Sequence, residues 1–141
     1  MAKRKASRAP RADLAYARRV IEAEAKAVEG LVDRVGRDFA RALRMLYACK
    51  GNVVTSGIGK AGIIARKISG TLASTGTPSL FLHPADAVHG DLGRVRPEDI
   101  VLILSYGGET SEITRMLGQL DKMQIPIIAV TGNRDSTLAR K

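Results

Sequence analysis

Two short stretches of this chain combine glycine backbone, hydroxyls and charge at a spacing suited to holding an anion. The first is Ser56-Gly57-Ile58-Gly59-Lys60-Ala61-Gly62, in which Gly57, Gly59 and Gly62 form a G-x-G-x-x-G pattern and Lys60 adds an ammonium that can meet a phosphate or sugar oxygen. The pattern alone also fits a dinucleotide fold. That reading requires an acid about 20 residues on, at the end of the next strand, to bind the ribose. Here that region reads Leu82-His83-Pro84, and the first acid, Asp86, follows the proline. A P-loop is excluded because G-x-x-x-x-G-K-[ST] is absent. A tight glycine turn carrying a solvated lysine remains the plainer alternative. The second stretch, Ser105-Tyr106-Gly107-Gly108-Glu109-Thr110-Ser111-Glu112, places three hydroxyls and two glycines before a helix expected to begin near Ser111. Free N–H groups and the positive end of a helix attract phosphate. The same residues also read as an N-cap, with Thr110 or Ser111 capping the helix and Glu109 and Glu112 favouring its positive end.

Both stretches need a scaffold, and the flanking pattern supplies one. Apolar runs at Val53-Val54-Thr55, Ser79 to Leu82, Ile100 to Leu104 and Pro126 to Val130 alternate with helical segments at 61–74 and 111–123 and a shorter one near 86–92. Alternation of this kind implies right-handed crossovers and a parallel sheet covered on both faces. The fold class is α/β, with three αβα layers. Ahead of the sheet, apolar residues recur at steps of three and four from Asp13 to Val35, and a second helical stretch runs to Cys49. The expected organisation is a disordered basic tail over 1–12, N-terminal helices over 13–50 and the sheet-bearing domain over 51–141. At the far end, Ser136 is placed to cap a helix with only Thr137 to Lys141 in which to form. The chain either ends in a loose tail or is a fragment of something longer.

Composition narrows the function. The net charge of +9 points toward nucleic acid, but Lys3, Arg4, Lys5, Arg8 and Arg11 crowd into the tail, and the few aromatics are scattered over different elements. Nucleic acid is therefore not the expected partner. No apolar run approaches the roughly 20 residues needed to span a bilayer, and no signal peptide is recognisable, so a cytoplasmic protein is expected. The single Cys49 reads as a core thiol. His83, His89 and Asp91 offer metal-ligand atoms on one loop, but that is a thin set without supporting partners, and no metal is expected.

The two loops and the residues between them resemble the SIS (sugar isomerase) domain family, and most closely its arabinose-5-phosphate isomerase branch. The family's phosphate signature, Ser-x-Ser-Gly-x-Ser/Thr, is met by Ser105, Gly108 and Thr110, with Gly107 standing where the second serine is expected. The Gly57–Gly62 loop, Ala73-Ser74-Thr75-Gly76-Thr77-Pro78, His83-Pro84, His89-Gly90-Asp91-Leu92-Gly93 and Ser111-Glu112-Ile113-Thr114 resemble the isomerase branch in order.

The resemblance implies interconversion of D-arabinose 5-phosphate and D-ribulose 5-phosphate through an enediol, with no redox cofactor. By motif, Lys60 would steady the sugar oxygens, Glu112 would move a proton or hold a partner, and His89 would face the sugar. Ser56, Gly57, Gly59, Ser105, Gly108, Thr110 and Ser111 would bind the substrate and its phosphate, while His83 is expected to be structural. Relatives continue with a further strand and helices carrying another glutamate and a histidine, so the resemblance implies an acid/base set only part-built in these 141 residues. The rival reading is a non-catalytic sugar-phosphate-binding module. A homo-oligomer is expected, a tetramer by resemblance.

Overall fold

The structure, a computed structural model, describes residues 11–141. The expected basic tail lies outside these residues except for its last two, which belong to the first helix. The described chain divides into two units, one up to Arg41 and the other from Ala42 to Lys141.

The first unit holds α1 (Arg11–Glu29), a 3-10 turn (Val32–Arg34) and the start of α2 (Arg37–Ala48). The apolar periodicity predicts one helix to Val35, yet α1 stops six residues sooner, at Glu29. Gly30 follows it, and a helix-interior glycine costs about 1 kcal/mol relative to alanine, so the helix ends there although the apolar pattern continues.

The second unit is the sheet. Its elements after α2 are β1 (Val53–Gly57), α3 (Gly59–Ser74), β2 (Ser79–Phe81), α4 (Pro84–Val88), a 3-10 turn (Asp91–Arg94), β3 (Ile100–Leu104), α5 (Ser111–Lys122) and β4 (Ile127–Val130). The four strands lie in the order β2-β1-β3-β4, and all neighbours are parallel. The central strands β1 and β3 are buried along their whole length, which is why they read as continuous apolar runs. Val54, Val101 and Ile103 pack with Ile113, Met116, Leu117 and Leu120 of α5. Val53, Ile100, Leu102 and Leu104 pack in a second cluster with Ala65 of α3, and Met45, Leu46 and half-buried Cys49 lie against it. Helices thus cover both faces. Cys49 is only half-buried, and its Sγ lies 3.6 Å from the carbonyls of Asn52 and Glu98.

At the N-terminal ends of the two central strands, the buried Asp99 carboxyl accepts the Asn52 N–H at 2.7 Å, the Asn52 side-chain amide at 3.3 Å and the Arg96 N–H at 2.9 Å. The short fourth helix begins earlier than its apolar pattern predicts. His83 Nδ1 accepts the Ala85 N–H at 3.2 Å and Pro84 opens the helix, while Gly90 at φ 129° separates it from the 3-10 turn. Among the described residues, no helix is long and apolar enough to cross a membrane.

Candidate functional site

The strand order places a switch point between β1 and β3: from β1 the chain crosses to β2 on one side, and β3 lies on the other. Parallel sheets bind ligands in the crevice at the carboxyl ends of such strands. Gly57 is paired with Leu104, so the two glycine-bearing loops leave the sheet side by side, at about the 4.8 Å spacing of neighbouring strands.

The first loop is shaped by its glycines. Gly59 takes φ +59°, in the left-handed region. Gly62 packs on the end of β1 so closely that a Cβ there would stand 2.6 Å from the Gly57 carbonyl oxygen. The start of α3 is thereby drawn against the strand, and the pattern that resembles a dinucleotide motif serves helix–strand packing here. Lys60 follows in the first turn of α3, exposed, with no carboxylate within ion-pair distance among the described residues. Ser56 departs from its expected part. Its hydroxyl is fully buried and donates to the Leu82 carbonyl at 2.7 Å, because its alternate position on β1 turns it into the core.

In the second loop, Ser105 is nearly buried and its Oγ accepts the Gly108 N–H at 3.2 Å, which leaves the hydroxyl proton to donate. Gly108 takes φ +69°, and a Cβ on it would overlap Ser136. Gly107, where the second signature serine is missing, is exposed, and a Cβ there would meet nothing within 4 Å. Neither Thr110 nor Ser111 caps α5 as the N-cap reading predicts. Thr110 is the N-cap residue but makes no side-chain cap bond, and the Ser111 hydroxyl donates to Glu112 Oε2 at 2.9 Å. The N-cap residue thus gives the first turn of α5 no side-chain cap, and the one side chain that engages an N–H there is Glu112, through its own backbone. Glu109 departs too: its carboxylate turns to the Thr137 N–H and hydroxyl, at 2.6 and 2.8 Å. Its pKa lies below the usual glutamate value, chiefly because of the Thr137 N–H.

Glu112 is half-exposed in the first turn of α5. Its pKa is lowered, first by its own backbone N–H and then by the Ser111 hydroxyl, with smaller charge effects from Arg115 and His83. These contacts favour its carboxylate form, which accepts hydrogen bonds. His83 thus caps α4 and lies near enough to Glu112 to add the smallest of these charge effects. The Phe81 ring lies 6.3 Å from the His83 ring, and Arg66 of α3 stacks on Phe81 at 3.9 Å. His89 sits exposed at the C-terminal end of α4, and no side-chain hydrogen bond joins it to either loop among the described residues. Also among the described residues, no three His, Cys, Asp or Glu side chains converge as metal ligands would.

The comparisons with known proteins agree with this architecture. Residues 45–141 match the SIS domain family. The arabinose 5-phosphate isomerase KdsD of Pseudomonas aeruginosa is 48% identical over 124 residues, covering 88% of this chain and 38% of that protein. The arabinose 5-phosphate isomerase KpsF of Escherichia coli O6:H1 is 51% identical over 102 residues, 72% of this chain and 31% of that protein. The chain thus spans 31–38% of the length of these two relatives. Among solved structures, c3406 of E. coli CFT073, in complex with arabinose 5-phosphate, matches with a TM-score of 0.86 and 45% identity over 93% of this chain and 70% of that one. A parallel sheet with helices on both faces, the signature loop at the end of β3 and a family match over the greater part of the chain lead to one conclusion: this protein belongs to the SIS domain family.

Proposed function

We propose that the crevice between β1 and β3 binds a pentose 5-phosphate and that the protein serves the aldose–ketose isomerisation of D-arabinose 5-phosphate to D-ribulose 5-phosphate. The observation that carries this reading is the pairing of Gly57 with Leu104, which sets the Lys60 loop beside the Ser105–Ser111 loop. The relative c3406, solved in complex with arabinose 5-phosphate, supports the choice of ligand. Phosphate is received by Ser105, the Gly107 and Gly108 backbone, Thr110 and the first turn of α5, which its N-cap residue leaves uncapped. Gly57 and Gly59 admit the sugar close to the backbone, Ser56 contributes through its main chain, and Ser111 turns its hydroxyl from Glu112 to the ligand.

The chemistry moves the C2 proton to C1 and the O2 hydroxyl proton to O1 through an enediol, so it is redox-neutral within the sugar and needs no external oxidant. Lys60 stabilises negative charge on the enediol oxygens. Glu112, held as a carboxylate, accepts a sugar hydroxyl or takes up a proton, and His89 approaches the sugar from the α4 side. We further propose a cytoplasmic homo-oligomer. Leu14, Ile21 and Val28 recur at intervals of seven on α1 and are 60%, 66% and 67% exposed, an apolar stripe suited to a helix from another copy.

The missing hydroxyl at Gly107 favours a second reading, a module that binds sugar phosphate without turning it over. Calorimetric titration with arabinose 5-phosphate and with NAD tests the binding site, and NMR detection of ribulose 5-phosphate separates isomerase from binding module. Micromolar binding of NAD with none of arabinose 5-phosphate would refute both.

A further inference from the structure

An acid in a phosphate loop is anomalous, because a carboxylate repels a phosphate dianion in the same small space. Glu109 lies two residues from Gly107, and both its oxygens are engaged away from the loop. We propose that Glu109 is a positioning residue: with Thr137 it straps the segment 131–138 across the loop after β3 and holds that loop in the shape that receives phosphate. The inference rests on the reading of that loop as a phosphate site.

Four further contacts define the strap. The Leu138 N–H donates to the Gly108 carbonyl at 3.2 Å, and the Gly132 N–H and Thr131 hydroxyl donate to the Tyr106 carbonyl at 3.0 and 3.1 Å. The Ser136 side chain fills the space a Cβ on Gly108 would need, and Ser136 and Leu138 are both fully buried. Tyr106, Gly108 and Glu109 are thus each held from the same segment, whereas within the loop only the Ser105–Gly108 bond ties its two ends. The Glu109 pair is the charge-assisted member of the set, with both carboxylate oxygens used. Arg140 lies near enough to add a favourable charge. A two-glycine loop left untethered would lose affinity to the cost of ordering on binding, and the strap removes that cost beforehand.

The test compares Glu109→Gln, Thr137→Val and Thr137→Ser in the whole chain. Affinity for inorganic phosphate and for arabinose 5-phosphate is measured by titration, amide exchange of Gly107 and Gly108 by NMR, and stability by thermal unfolding. Glu109→Gln and Thr137→Val should bind both ligands about 5–10-fold more weakly and exchange faster at Gly107 and Gly108, with little change in Tm. Thr137→Ser, which keeps both donors, should bind within about twofold of the parent. Should Glu109→Gln not fold, the Thr137 pair decides alone. If the parent binds and the valine variant binds equally well with unchanged exchange, the strap is refuted while the phosphate site stands. If the parent binds neither ligand, the proposed function falls, and the exchange rates alone decide the strap: faster exchange in the variants supports it and equal exchange refutes it.

Discussion

A serine introduced at each of two adjacent glycines should have opposite effects. At Gly107 a Cβ meets nothing within 4 Å and φ is outside the left-handed region, so Gly107→Ser should cause no strain and should restore the signature's second hydroxyl. Restricting the unfolded chain alone is worth about 0.4–1 kcal/mol. One added hydrogen bond to a charged phosphate is worth about 1.5 kcal/mol, close to tenfold in affinity, and incomplete desolvation at this exposed loop lowers the expected gain to about 3–10-fold. At Gly108, φ is +69° and the new Cβ would overlap Ser136. The left-handed backbone costs a non-glycine residue about 1–2 kcal/mol, and displacing the buried Ser136 adds about 1–3 more. Gly108→Ser should therefore lose about 2–5 kcal/mol of stability and most of its phosphate affinity. Thermal unfolding and calorimetry with arabinose 5-phosphate read both effects. If Gly107→Ser binds no more tightly than the parent, or is destabilised as Gly108→Ser is, the geometry assigned to this loop is wrong.

Thr110 makes no cap bond, so Thr110→Ala should leave Tm nearly unchanged, without the usual cap loss of about 1 kcal/mol, yet weaken arabinose 5-phosphate binding about 3–10-fold by calorimetry. Leu117 is buried at 1% exposure between α5 and the sheet, and Leu117→Ala should cost about 2–5 kcal/mol in urea unfolding. Glu109 has its pKa lowered in the fold, so its contribution is complete above the unfolded glutamate value and disappears as pH falls through the lower folded value. The small stability difference expected between the parent and Glu109→Gln should accordingly vanish in acid, and a difference that grows there would contradict the Thr137 pairing. Ile21→Glu should lower the mass seen by light scattering if α1 carries the contact between copies.

The strands were legible because β1 and β3 are buried on both faces and need no alternation: Val53-Val54 and Ile100 to Leu104 can hardly be anything else. The places of the two glycine loops, at the ends of β1 and β3, were legible too, since glycine clusters after apolar runs mark strand ends; their phosphate role is the reading proposed above. What the sequence does not show is a side chain's partner when that partner lies across the fold. Ser56 looks like its neighbours in the glycine loop, but its hydroxyl is spent on Leu82, 26 residues away. Glu109 looks like a helix-end acid and instead binds Thr137, 28 residues away. His83 is a cap whose nearness to Glu112 depends on β2 and β3 flanking the same central strand. Local breaks were misjudged for a different reason. Gly30 interrupts α1 although the apolar period runs through it, because periodicity records which face is apolar and not whether the backbone holds.

The buried Asp99 lies at the opposite ends of β1 and β3 from the two glycine-bearing loops. By joining Asn52 to Arg96 it fixes the alignment of the two central strands about 17 Å from the crevice, the length of a five-residue strand. The frame is therefore secured independently of what the loops contain. Substitutions in the loops, such as those proposed at Gly107 and Gly108, therefore leave the alignment at the far end of the sheet untouched. The fastening of the strands and the loops proposed to hold the ligand are thus separate parts of one sheet.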